Sequence, residues 1–236
     1  MVASAVLLAA TAQYTAGFGF ALLGVPLMAL AIDTRDAVVI AVWLGLVTSV
    51  VQTVEGRSVV DRPVARRLVV GSLIGIPLGS TVFVLVPERT LTAILGVSVI
   101  AATVLLARGT ELSSPRQGPE WVAGVVSGAL ASSLSTNGPP LVAVLQARRY
   151  PIAVFRATIN TVFAVANVLT LVAFAVTDEL RAEQSWWSLV LLPLVGLGLV
   201  IGGRLRLHID ETRARRLVLV LLGVAGTSAV LSALVG

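Results

Sequence analysis

The sequence predicts an all-α, polytopic membrane protein of two inverted repeats. Each repeat has a broken or re-entrant first segment followed by three transmembrane helices. Three observations predict it. The 236-residue chain is 57% hydrophobic and 12% charged, against about 25% charged in ordinary soluble domains. Two long uncharged stretches, 1–32 and 121–147, are each interrupted by glycine and proline. The arginines cluster between apolar stretches, where charge reports membrane orientation.

A helical span needs about 20 apolar residues. The first stretch is overlong and carries Gly17-Phe18-Gly19-Phe20-Ala21-Leu22-Leu23-Gly24-Val25-Pro26 inside it. Three spans follow at 37–54, 68–86 and 90–107. The second stretch is broken by Ser135-Thr136-Asn137-Gly138-Pro139-Pro140 and leads to spans at 152–177, 186–203 and 217–235. Eight apolar segments therefore give about ten helices, in an N-terminal repeat 1–107, a cytoplasmic linker 108–120 and a C-terminal repeat 121–236. No Lys or Arg precedes the first apolar run, so the charged region of a cleaved signal peptide is missing. With no cysteine, disulfides and thiolate metal sites are excluded.

Arginine placement separates two topologies. If each broken segment crosses once, the 17 arginines divide almost evenly between the two faces. If each enters and returns to the same face, fourteen fall on one side, leaving Arg35, Arg89 and Arg181 opposite. Positive residues concentrate on cytoplasmic loops, so the re-entrant topology is favoured, with both termini extracytoplasmic. Five segments per half then place the halves in opposite orientations, the inverted repeat of many secondary transporters. The letters carry traces of duplication. Gly24-Val25-Pro26-Leu27 aligns with Gly138-Pro139-Pro140-Leu141, and Gln52 with Asn167. Gly79 before Pro87-Glu88-Arg89 aligns with Gly202 before Asp210-Glu211-Thr212.

Broken helices at mid-depth are tolerated where protein or a cavity surrounds them, and paired interruptions point to a substrate site. Ser135, Thr136 and Asn137 are cap-forming residues, and proline suits a first helical turn. A half-helix from about Pro139 to Ala147 would present free amides and a positive dipole end, an anion site without a charged side chain. Gly24 and Pro26 would approach from the other half, with Gly17, Gly19 and Pro140 as hinges. The bland alternative is that these residues only kink two full crossings. Arg156 lies near a span end, placed either to meet an anion or to snorkel to the interface. Thr48, Gln52, Thr158, Asn160 and Asn167 either line a path or hydrogen-bond between helices.

The chemistry the sequence lacks is also informative. No Asp or Glu falls mid-span, and His208 lies in an arginine-rich loop. Proton relays, metal transport and cofactors therefore have no residues to carry them, and no nucleic-acid partner is implied. A hydrolase could draw a nucleophile from Ser132, Ser133 or Ser135, but no buried His, Lys or acid would serve as its base.

The Gly-rich stretch ending in Gly-x-Pro (Gly17, Gly19, Gly24, Pro26), the run Asn137-Gly138-Pro139-Pro140, and Phe155-Arg156-x-Thr158 with Asn160 together resemble the sulfite exporter TauE/SafE family. The resemblance spans nearly the whole chain. Phe18 and Phe20 stand where small residues are common in that family, and Ala157 stands where glycine is usual. The resemblance implies a two-repeat inner-membrane permease, not an enzyme, that moves a small anion, chiefly a sulfur-containing one such as sulfite, a sulfonate or thiosulfate. It places substrate contacts on Gly24, Pro26, Ser135, Thr136, Asn137, Gly138, Pro139, Arg156, Thr158 and Asn160. The rival readings are a permease for an organic acid or zwitterionic metabolite and a membrane assembly factor without transport. The oligomeric state is not legible in these letters.

Overall fold

The computed structural model describes residues 1–108, 118–208 and 219–229, and all regular structure in those ranges is helical. The elements are α1 (Val2–Ala16), α2 (Phe20–Met28), α3 (Thr34–Gly56), α4 (Arg62–Leu85), α5 (Glu88–Arg108), α6 (Gly118–Leu134), α7 (Gly138–Ala147), α8 (Ile152–Val176) and α9 (Ala182–His208), followed by α10 (Leu219–Ala229). Five of them, α3, α4, α5, α8 and α9, are long and apolar enough to cross a membrane. The long helices extend past the apolar runs because their polar ends, such as Arg62–Arg67 on α4, continue the same helix. Among the described residues α6 opens at Gly118, so Glu120 lies within a helix. The Asp210-Glu211-Thr212 match lies outside the described residues.

Both broken segments double back. A Cβ on Gly24 would stand 3.3 Å from the Ala9 Cβ, although a continuous helix would hold these residues about 22 Å apart at 1.5 Å per residue. In the second segment the Ser127 hydroxyl donates to the Asn137 carbonyl at 3.1 Å, again folding ten residues of chain onto itself. At the same rise α1 is about 22 Å long and α6 about 25 Å, short of the roughly 30 Å hydrocarbon core. Gly17 (φ 90°) and Gly19 (φ 109°) turn the first tip in a region of backbone space that favours glycine. Ser135 (φ 57°) turns the second. The Ser135 N–H donates to the Ala131 carbonyl, the single bond that closes helices ending in a left-handed residue, and the Thr136 N–H reaches further back to the Leu130 carbonyl.

The two halves repeat. The N-caps Gly19 and Asn137, and the first residues Thr34 and Ile152, stand the same number of residues apart. This corrects the letter-by-letter register. Asn137 is the counterpart of Gly19, and Asn167 of Ser49, so neither the Gly-x-Pro strings nor Gln52 and Asn167 coincide. Proline sits early in α7 but deep within α2, which misled the alignment. Packing follows the repeat. Helices α3 and α8 cross at the centre, α4 packs on α6 and α8, and α9 packs on α1 and α3. Gly79 and Gly202 do occupy matching places, against Ala129 of α6 and Thr11 of α1.

Helix α4 shows how these contacts are made. It turns Gly71, Gly75 and Gly79 inward and leaves Leu73, Ile74 and Leu78 exposed. Lipid offers no hydrophobic drive to bury large side chains, so close backbone packing over small residues holds the helices instead. A Cβ at Gly75 would lie 1.9 Å from the Val125 carbonyl oxygen and at Gly79 2.0 Å from that of Ala129. Gly75→Ala should therefore cost about 1–3 kcal/mol through overpacking. Gly196→Ala, where the added methyl meets open space, should be neutral or slightly stabilising. Thermal unfolding in detergent compares them, and equal responses would show that α4 does not depend on this close approach.

Candidate functional site

The two tips converge on a small cavity between α3 and α8, with a free volume of about 20 Å3, room for about one water. It is lined by Gln13, Gly19, Phe20, Ala21 and Leu22 from the first hairpin, and by Ser135, Asn137 and Gly138 from the second. Ala41, Gly45 and Ser49 of α3 and Phe163 and Asn167 of α8 complete it. None of these side chains is charged. The N-termini of α2 and α7 both open on this space, and each brings the positive end of a helix dipole.

The donors differ between the two tips. Asn137 is 7% exposed, and its Nδ2 has no hydrogen-bond partner. Its side chain makes no cap to α7. Pro139 and Pro140 have no N–H, so among the first three residues of α7 only Gly138 can donate from the backbone. On the first tip, the Phe20 N–H donates to Gln13 Oε1 at 3.1 Å. Pro26, buried within α2, cannot donate to the Leu22 carbonyl one turn back, and Leu22 lines the cavity.

Ser135, Asn137 and Gly138 are thus brought together as the sequence suggests. Other anticipated residues stand apart from the lining. Gly24 packs on Ala9 inside the first hairpin and Pro26 lies beside it in α2. Thr136 is buried next to the tip, with an Oγ1 that finds no partner. Pro139 and Pro140 shape the first turn of α7. The Thr158 hydroxyl accepts from the Asp61 N–H at 3.0 Å, tying α8 to the start of α4.

Arg156 and Asn160 serve the end of α1. A guanidinium N–H of Arg156 donates to the Thr15 carbonyl, and the alkyl stem lies against Gly17. Asn160 Nδ2 donates to the Gly17 carbonyl at 2.9 Å. A cation and an amide from the second half thus satisfy carbonyls that the break leaves orphaned. Gln13 joins them, donating from Nε2 to Asn160 Oδ1 and to Ser49 Oγ, both at 3.2 Å. Sequence reasoning missed Gln13. The signal was present, since it is the one carboxamide in the uncharged stretch 1–32.

Glu120 corrects the expectation that no acid is buried. Its side chain is 0% exposed and accepts from both Arg67 and Arg148, locking α4 to both open ends of the second hairpin. Beside it the Tyr150 hydroxyl donates to Asp61. Burial, then this bond to the carboxylate, pushes the phenol up to about 12, so it stays a neutral donor at physiological pH. Two of the three serines considered as nucleophiles donate to backbone carbonyls, Ser132 to that of Ile76 and Ser133 to that of Ala129, while Ser135 lines the cavity.

An uncharged, donor-lined cavity between two half-helices, inside a bundle of membrane-length helices, defines a multi-pass membrane transporter. The chain belongs to the sulfite exporter TauE/SafE family, whose model matches residues 2–229. It is also similar to the probable inner membrane transporter protein TsaS of Comamonas testosteroni, at 36% identity over 115 residues. That match covers 47% of this chain and 48% of the relative, about half of each. No solved structure matches the chain.

Arg156→Met keeps the stem over Gly17 and removes the donor to Thr15. It should cost about 1.5–3 kcal/mol, the range for a hydrogen bond to a charged group. A thermal midpoint in detergent equal to that of the unsubstituted protein would show that the end of α1 does not need this donor.

Proposed function

We propose that the protein is an inner-membrane permease that exports a small sulfur-containing oxyanion, of which sulfite is the model, by alternating access. The observation that carries this is the buried, unpartnered amide of Asn137 at the start of α7, in a cavity with no charged side chain. Neutral donors and a helix N-terminus bind an oxyanion without a fixed cation that would hold it too tightly for release. Asn137 Nδ2, the Gly138 N–H and the Ser135 hydroxyl form the second-half contacts, with Ser49 and Asn167 facing them. Arg156, Thr158, Gly24 and Pro26 act through the backbone they hold, and Gly17 and Gly19 are the hinge.

The rest of the reading follows from charge. No carboxylate lines the cavity, so no proton carrier stands at the site. A negative-inside potential would drive an anion outward with about 2.3 kcal/mol per charge per 100 mV, and export then needs no coupling ion. With both hairpin openings placed by their arginines, the repeats lie in opposite orientations and both termini are extracytoplasmic.

Two measurements test this. Sulfite efflux from proteoliposomes should fall at least tenfold in Ser135→Ala/Asn137→Ala, which removes two donors to the anion, while the protein still inserts. Unchanged flux would overturn the site. Sulfite-blind vesicles that release a carboxylate or an amino acid would replace the substrate class. For topology, the cysteine-free chain accepts single cysteines at 33 and 148. The re-entrant arrangement puts 33 outside with the N-terminus and 148 in the cytoplasm. Labelling that placed 33 on the cytoplasmic side would overturn it.

A further inference from the structure

We propose that the side-chain carbonyl of Gln13 is a built-in occupant of the anion position at the start of α2, which the substrate displaces on binding. This rests on the anion-permease reading above and adds a residue that sets affinity and links binding to the contact between the repeats.

The two tips present unlike halves of one site. At α7 the buried Asn137 amide faces the cavity with no partner. At α2 the Phe20 N–H, the first of that helix, already holds an acceptor, Gln13 Oε1. Gln13 is 3% exposed and lines the same cavity. Its oxygen therefore sits where an oxyanion oxygen reaching both helix N-termini would sit. A carboxamide oxygen is the weaker acceptor, since charge-assisted hydrogen bonds are roughly twice as strong as neutral ones. An arriving anion can take the Phe20 N–H from it.

Displacement has a consequence beyond the cavity. The other end of the same side chain donates to Ser49 of α3 and Asn160 of α8. Asn160 in turn holds the Gly17 carbonyl and meets Gln52 of α3 at 3.4 Å. One rotation of Gln13 thus loosens the first tip from the central helices of both halves. The second half has no such device. The residue four before its break is Ala131, where Gln13 stands four before Gly17. The occupied tip and the vacant one form a matched but unequal pair, and binding at the vacant one is what brings the anion to the occupied one.

Gln13→Ala and Gln13→Glu test the proposal with opposite expected signs. Sulfite binding is measured by calorimetry at pH 8 on the full chain in detergent, with monodispersity and thermal midpoint checking the fold. Removing the occupant should tighten sulfite binding about three- to tenfold, the worth of one competing hydrogen bond. A carboxylate at the same position should weaken it at least tenfold through like-charge repulsion. A purely structural glutamine would lose the same bonds in both variants and weaken both. That result, with the unsubstituted protein binding sulfite and Asn137→Ala impaired, would overturn the role of Gln13 and leave the permease reading standing. No binding of sulfite, thiosulfate or acetate by the unsubstituted protein would overturn both.

Discussion

A peptide group left in hydrocarbon without a partner costs several kcal/mol, and this chain stops helices in the middle of the bundle at two places. The architecture around the breaks is the set of answers to that cost. The C-terminal carbonyls of α1 take their donors from another part of the chain, the Arg156 guanidinium and the Asn160 amide of α8. Those of α6 are closed locally, by the turn at Ser135 and the Thr136 N–H. The N-termini of α2 and α7 are answered only in part, the first by Gln13 and the second not at all by the side chain of Asn137. What remains unanswered is the Asn137 amide, buried without a partner.

The same constraint explains why the repeats are alike in frame and unlike at the centre. Backbone-to-backbone packing of α4 on α6, and of α9 on α1, needs small residues at fixed places, and both halves supply them, as Gly75 and Gly198 show. At the tips the halves differ residue by residue. Glycine and phenylalanine open α2 where asparagine and glycine open α7. Val38 and Val42 occupy the places on α3 that Arg156 and Asn160 hold on α8. One tip is therefore tied across the repeat and the other is not.

Much of this was legible in the letters because lipid simplifies the code. A run of apolar residues of sufficient length is a helix, and glycine and proline inside it mark where the helix stops. Gly17, Gly19 and Ser135-Thr136-Asn137 announced both tips, and the second half-helix starts one residue from where its capping residues placed it. The register between halves was not legible. Strings of Val, Leu, Ala and Gly align at many offsets, and Pro26 and Pro139 look equivalent although they sit at different depths of their helices. Glu120 was misplaced for a related reason. A charge next to an apolar run reads as loop, and only its two arginine partners, distant in sequence, make its burial affordable.

The sequence by itself determined the class: membrane-length helices and two interrupted segments whose capping residues are neutral. Those are properties of composition and of the local backbone, set by residues within a few positions of one another. Only the tertiary structure decided which donors are spent and which are vacant. It gave Arg156 to the end of α1, gave Thr158 to the Asp61 amide, brought Gln13 into the cavity, and left Asn137 without a partner. Hydrogen bonds between residues more than a hundred positions apart leave no periodicity to read, so the chemistry of the centre became visible only when the two halves were packed together.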